Sequence, residues 1–472
     1  VFEDAQFRRW DWWLPGLFTL HLAHALMLAH WFPNHVFDAD LLAYFVYFRN
    51  WSTHNTALFG VPYFTHPKPL LVFALGPLSN ASVAFYCSAA TSAALGALLY
   101  LIGRDAFGRT GGVLFSLLYL GNPSTSVLTL KSSADMYIAF FFFLALYCYS
   151  HEGWVGASVS LFLSALIKPV TLPCTLCALT SGTRSRKVWL CALLPFLAIP
   201  LTLWANQVLL GSPFGSNSFF KEFAALRDSS PMATGDVVHF AFWTQLVKNR
   251  FVSTAPLGFL GVLVWVAGDR RRLTSPLLLM PLLFVIGYFL LSIASPYMPF
   301  FRFFWTLEIW FLGFLGFGIL EAARRLADGR RWLKFAVAGL LLFFLSNDLI
   351  ILQLRYRDQF AIPFEESMAF VNSTRGTLAN ELAPGERILA PLAFLPYLMW
   401  KSNGSRVTII TAEHAAANSY GDRPEWILDV PDIYANPRTR DFVAQLVNAG
   451  RYHVRLTDGK AALLALHTRS GG

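Results

Sequence analysis

Two carboxylates, Asp38 and Asp40, stand two residues apart in FDADLLAYFVYFRNWSTHN (37–55), just after the first long apolar run of the chain. Tyr44, Tyr47 and Arg49 follow. Further along come His66 and Lys68 in YFTHPKPLLVFALGPL, Asp135 in KSSADMYIAFFFF, Lys168 in LIKPVTLP, and Arg302 with Glu308 in SPYMPFFRFFWTLEIW. Lys68, Lys168 and Arg302 each abut an apolar stretch. Charges at the edge of lipid are expensive and are kept where they pair or act. Cations grouped with carboxylates at a lipid surface suit a phosphate-bearing lipid and a general base. The cations hold the phosphate and stabilise it as a leaving group, while a carboxylate takes the proton of an attacking hydroxyl. Structural roles stand beside these. An Asp at a helix start also caps it, with Ser132 and Ser133 able to assist at Asp135, and a lysine at a membrane edge snorkels to headgroups. Glu308, nearly two turns beyond Arg302, is either its internal partner or a second functional acid.

Positioning these residues requires a membrane domain. The 472 residues are 55% hydrophobic and 14% charged, with 44 Phe. A single soluble core cannot bury that much apolar surface, so lipid is the solvent for the runs between Trp12 and Ile351. Apolar periodicity predicts spans near 12–32, 80–102, 110–130, 135–150, 154–168, 169–182, 188–210, 255–268, 275–294, 302–322 and 333–351, about eleven transmembrane helices. Several are shorter than the ~20 residues of a straight crossing, and Lys168, Pro169 and Pro173 break the pair at 154–182. Fifteen of the 24 Lys and Arg before Arg355 fall in short segments between spans, including Arg104, Arg109, Arg184 and Arg270. With the N-terminus in the cytoplasm every one of these clusters is cytoplasmic, which is the positive-inside pattern. The segments 33–79, 131–134, 211–254 and 295–301 and the C-terminal region then face outward. The formal charge of +9 is accounted for by this asymmetry and implies no nucleic-acid partner.

Residues 37–55 read as an amphipathic helix on the membrane surface, with Asp40, Tyr44 and Tyr47 on one face and Leu41, Phe45 and Phe48 on another. The five cysteines all lie in apolar stretches. Cys174 and Cys177 form a CxxC without a second pair, which reads as packing; the sequence requires no metal and leaves a divalent metal ion open as a cofactor. No cleavable signal peptide is evident.

From Arg355 onward the composition changes, with 13 Lys and Arg against 12 Asp and Glu. FEESMAFVNSTRGTLANEL and TRDFVAQLVNAG read as helices, ERILA, RVTII and EWILDV as strands, and YHVRLTD with AALLAL as a closing hairpin. The expected division is a membrane domain at 1–351, with interfacial helices in its outer loop at 33–79, and an extracytoplasmic α/β domain at 352–472.

Four features recur in this order: an Asp-bearing first outer loop, HPKP before a short re-entrant helix, KP breaking the fifth span, and a PxxPxxR-aromatic entry to a late span. Together they resemble the GT-C fold of integral-membrane glycosyltransferases, in the branch of the lipid A aminoarabinose transferases and protein O-mannosyltransferases. The resemblance covers about residues 10 to 350. It implies that the first-loop acid is the catalytic base, which maps onto Asp40 because DLLAY matches an acid with a Tyr four residues on. The family often has Asp-Glu there; this chain has Asp40-Leu41, with its second acid at Asp38, so the base lies between these two. The resemblance also carries the phosphate-contacting lysine onto Lys68 and the late-span arginine onto Arg302, with Lys168 beside them.

The implied reaction moves a sugar from a polyprenyl-phosphate donor to a hydroxyl acceptor, with inversion, at the outer face of the cytoplasmic membrane. Other site candidates are Tyr44, His66, Asp135 and Glu308. Two further readings stand: a ligase or polymerase acting on undecaprenyl-linked glycans, and a non-catalytic accessory subunit that keeps the fold.

Overall fold

The structure is a computed structural model. It describes residues 11–34, 39–54, 67–181, 186–213, 254–294, 304–325, 362–383, 385–391, 407–417, 424–431 and 437–466, with a few isolated positions between them. The helices in chain order are α1 (Trp13–Trp31), α2 (Ala39–Ser52), α3 (Pro69–Leu75), α4 (Ala81–Phe107), α5 (Arg109–Gly121), α6 (Pro123–Leu130), α7 (Ala134–Ser150) and α8 (Trp154–Ile167). A 3-10 helix (Pro169–Ser181) follows, then α9 (Arg186–Leu193), α10 (Ala198–Leu210), α11 (Thr254–Gly268), α12 (Pro276–Ala294), α13 (Trp305–Arg325) and α14 (Ile362–Glu381). Among the described residues, four helical stretches are long and apolar enough to cross a membrane: Ala81–Phe107, Arg186–Leu210, Arg270–Leu291 and Trp305–Arg325. The bent pair α5 and α6 would make a fifth. The chain is therefore a multi-pass helical membrane protein. The predicted segment 333–351 lies outside the described residues, apart from isolated positions.

The chain forms two compact units. One comprises Val1–Trp31, Phe85–Leu201 and Gly235–Tyr356; the other comprises Phe32–Ala84, Thr202–Thr234 and Arg357–Gly472. In the first unit, small residues let helix backbones approach, as expected where lipid supplies no hydrophobic drive between helices. A Cβ at Gly258 would meet the Phe311 carbonyl oxygen at 2.7 Å, and one at Gly103 would meet Gly112 Cα at 2.8 Å. Asp11, just before α1, reaches Arg104 and Arg109 at 3.5 Å each, and His151 reaches Asp105 at 3.2 Å. The start of α1, the α4–α5 turn and the α7–α8 turn thus share one end of this unit.

The run 110–130, read from sequence as one span, is broken. Asn122 leaves the helical conformation and its side chain accepts from Thr125 N at 3.2 Å, while Pro123 occupies the first position of α6. An Asn cap followed by Pro both ends one helix and starts another, and the axes differ by 62°.

In the second unit, α2 packs against α3 and the turn after it. A Cβ at Gly76 would overlap Phe48 and come within 3.1 Å of the Tyr44 carbonyl oxygen. Every residue from Leu41 to Tyr47 is buried. The amphipathic helix expected on the membrane surface over 37–55 is therefore enclosed on all sides over 41–47. Asn80 caps α4, its Oδ1 accepting from the backbone N–H groups of Ser82 and Val83 at 3.0 and 3.2 Å.

The same unit holds a five-stranded sheet of β1 (Glu386–Ala390), β2 (Val407–Thr411), β3 (Trp426–Asp429), β4 (Tyr452–Asp458) and β5 (Ala461–Leu466), in the order β2-β1-β3-β5-β4. β1 is parallel to β2 and β3, and the β4–β5 hairpin joins antiparallel to β3. Helices α15 (Ala412–Ala417) and α16 (Pro437–Asn448) supply Ala415 and Val443 to a core with Leu389, Ile410, Ile427 and Leu464.

Candidate functional site

Asp40 is the second residue of α2, and Tyr44 lies one turn further along the same helix. Tyr44 is 2% exposed. Its hydroxyl accepts from Lys68 Nζ at 3.4 Å, and the ammonium lies 5.6 Å from the ring centroid. Lys68 stands at the N-cap position of α3 in extended backbone (φ −99°, ψ 92°), between Pro67 and Pro69, with no side-chain cap bond. Proline after Lys68 disfavours the helical conformation there, so the lysine is held off the helix axis. A cation at a helix N-terminus opposes the helix dipole. The Tyr44 face and hydroxyl offset that cost.

A second lysine is seated in a similar way in the other unit. Lys168 ends α8 in extended backbone (φ −155°, ψ 125°) before Pro169. Its Nζ lies 3.7 Å from Asp135 Oδ1, with both side chains largely buried, and 5.8 Å from the Tyr288 ring centroid. Asp135 is the second residue of α7. The cap of that helix is Ser133, whose Oγ accepts from Asp135 N and donates to Asp135 Oδ2, both at 3.3 Å. The role of N-cap considered for Asp135 thus falls to Ser133, which leaves the Asp135 carboxylate to meet Lys168. Lys-Pro ends α8 because the residue before proline avoids the helical region.

Glu308, in the first turn of α13, is buried and accepts from Asn122 Nδ2 at 2.6 Å. The residue that bends the α5–α6 pair therefore also anchors this acid. Asp38, His66 and Arg302 lie outside the described residues. Of Asp40, the structure describes the backbone position.

Within each unit the sequence candidates therefore fall into local sets: position 40 with Tyr44 and Lys68, Asp135 with Lys168, and Glu308 with Asn122. Sequence reasoning did not single out Asn122 or Tyr288. The Asn-Pro pair at 122–123 is a readable breaker signal. Tyr288 carries none, being one aromatic among many in an apolar run. Among the described residues, no group of three or more His, Cys, Asp or Glu side chains is placed to hold a metal ion.

No protein-family model matches the chain, and no curated protein sequence matches it. Solved structures do. ArnT from Cupriavidus metallidurans in the apo state aligns over 97% of this chain and 99% of its own, with 15% identity and a TM-score of 0.51. The same protein bound to undecaprenyl phosphate aligns over 95% and 98%, with 16% identity and a TM-score of 0.49. The Archaeoglobus fulgidus oligosaccharyltransferase, tethered to an acceptor peptide containing the NVT sequon, aligns over 96% of this chain and 73% of its own, with 12% identity and a TM-score of 0.52. At such identities the likeness is one of fold, and it runs along nearly the whole chain: this protein has the GT-C fold of integral-membrane glycosyltransferases.

Proposed function

We propose that the chain is an inverting glycosyltransferase that takes its sugar from a polyprenyl-phosphate donor at the outer face of the cytoplasmic membrane. The observation that carries this reading is Lys68 held over Tyr44, one helical turn from Asp40. It pairs a cation at the head of a short apolar helix with a carboxylate position at the start of the neighbouring helix. In this reading Asp40, or Asp38 beside it, takes the proton of the acceptor hydroxyl. The hydroxyl oxygen attacks the anomeric carbon, the bond from that carbon to the phosphate oxygen breaks, and the polyprenyl phosphate leaves with the electron pair. Lys68, Arg302 and Lys168 match the charge that the phosphate gains. The N-terminus is cytoplasmic, residues 1–351 form the membrane domain, and residues 352–472 form an extracytoplasmic domain that serves the acceptor side.

The test is a transfer assay. Purified protein in lipid nanodiscs is incubated with a panel of undecaprenyl-phospho-sugars and hydroxyl acceptors. Release of undecaprenyl phosphate together with a new glycoside of inverted anomeric configuration supports the reading. A product of retained configuration would contradict it. So would glycan-chain transfer from undecaprenyl-linked glycans without use of any monosaccharide donor.

A further inference from the structure

Asn34 lies three residues beyond the end of α1 and six before Asp40. Its backbone N–H donates to both carboxylate oxygens of Glu365, at 2.9 and 3.1 Å, and its Nδ2 donates to Glu365 Oε1 at 2.7 Å. Its Oδ1 accepts from Asn372 Nδ2 at 2.9 Å. Asn372 Oδ1 in turn accepts a short hydrogen bond from the Tyr397 hydroxyl. Glu365 and Asn372 both lie on α14, seven residues apart, so they share one helix face two turns apart. The partners are 331 and 338 residues from Asn34 in sequence, yet all of them belong to one compact unit.

From Asn34 to Ala39, the first residue of α2, is five residues, which reach at most ~18 Å. Beyond Asp40, α2 is fixed by its packing on α3, where Gly76 abuts Tyr44 and Phe48. Asn34, upstream of Asp40, is thus held by α14, and α2 downstream of Asp40 is held by α3 and the turn after it. Hydrogen bonds to a carboxylate are shorter and stronger than neutral ones, and this one engages Asn34 through backbone and side chain together.

We infer that Glu365 and Asn372 are positioning residues, which set the start of α2 and thereby the placement of Asp40 for proton transfer. This rests on the reading of Asp40 as the base. It gives the C-terminal segment a direct hold on the chemistry, since a misplacement of about 1 Å at a reacting group is enough to lower a rate about 100-fold.

The experiment uses the full chain in nanodiscs, with Glu365→Ala and the milder Glu365→Gln. Amide hydrogen exchange needs no substrate. Glu365→Ala is expected to speed exchange at Asn34 and across 39–44 about tenfold or more, while peptides of β1, β3 and β5 keep wild-type protection. With the undecaprenyl-phospho-sugar that the wild-type protein turns over, kcat should fall about tenfold or more and KM for the donor should change less than twofold. Glu365→Gln, which keeps one acceptor oxygen, should recover part of the loss. The double variant Asp40→Asn/Glu365→Ala should be no slower than Asp40→Asn alone, because the two act through one group. Unchanged exchange at 34–44, exchange that rises equally in the sheet, or losses that multiply in the double variant would each overturn the inference. Full activity in Asp40→Asn would instead remove the base assignment beneath it. Loss in Asp40→Asn with normal kcat in Glu365→Ala would sink the positioning role alone.

Discussion

Lys68 illustrates how far single residues could be read. Its place in HPKP marked it as a cation that helix stability does not explain, and Tyr44 was visible as the residue one turn after Asp40. Their contact was not, because it joins positions 24 residues apart, beyond the reach of any local periodicity. Lys68→Ala should weaken undecaprenyl phosphate binding by ~1.5–3 kcal/mol, the usual worth of a charge-assisted hydrogen bond. Tyr44→Phe keeps the ring beneath the ammonium and removes only the hydroxyl, so its effect should be smaller, about 0.5–1.5 kcal/mol. Titration of detergent-solubilised protein with undecaprenyl phosphate measures both. Equal affinity in Lys68→Ala and wild type would assign this lysine to lipid headgroups. The Asp135–Lys168 pair makes a different prediction. Both side chains are largely buried, so Asp135→Leu alone removes the carboxylate facing a buried ammonium and should destabilise by ~3–5 kcal/mol, whereas Asp135→Leu with Lys168→Met should recover much of that stability. Thermal melting of the single and double variants reads the difference.

At the scale of elements, apolar runs located the helices well, since lipid-facing and core-facing positions are both apolar. Their interruptions were only partly legible. The break at Lys168-Pro169 followed from proline chemistry, while the bend at Asn122-Pro123 was hidden inside a run long enough to read as one span. The 3-10 helix after Pro169 packs closely on α12. A Cβ at Gly287 would overlap the Val170 carbonyl, a backbone atom that cannot turn aside. Gly287→Leu should therefore push α12 away, at a cost of about 1–3 kcal/mol, and draw the neighbouring Tyr288 ring from beneath Lys168. A lowered melting temperature with weaker undecaprenyl phosphate binding checks both parts. An element of the sheet carries a pH signature. Burial raises the Asp429 carboxyl, at the end of β3, from 3.8 to about 6. The folded state thus holds this proton more tightly than the unfolded one. The contribution of Asp429 to stability is greatest below about pH 4, falls as pH rises to about 6, and is constant above that. Asp429→Asn should remove that fall and raise the melting temperature at pH 7 relative to wild type. An identical pH profile in the two proteins would contradict this.

For the whole molecule, composition and the recurring apolar runs made a multi-pass membrane protein legible, and the order of motifs pointed to the GT-C fold. What hydropathy could not resolve is which apolar helices cross. The described chain has four stretches long enough to span, or five with the bent pair, besides several shorter apolar helices. Length and apolarity record what lipid tolerates, and burial inside the protein depends on neighbours that a linear pattern does not contain. The same limit applied to α2, which is buried on every side over 41–47. A cysteine placed at the exposed Asp441 of α16, in a background with the five native cysteines replaced, should label from outside intact cells. Labelling only after permeabilisation would invert the scheme and move the proposed site to the cytoplasmic face.

If a carboxylate at the start of α2 drives sugar transfer from a lipid-linked donor, Asp40→Asn is the decisive variant. Asparagine keeps the size of aspartate and its ability to cap a helix, but it cannot take a proton. Transfer from the undecaprenyl-phospho-sugar used by the wild-type protein should fall about 100-fold or more, with undecaprenyl phosphate binding and melting temperature nearly unchanged. Asp38→Asn, measured alongside, should lose less. Full transfer in Asp40→Asn would contradict the assignment: accompanied by loss in Asp38→Asn it would move the base to the neighbouring acid, and with both variants fully active it would remove this loop from the chemistry.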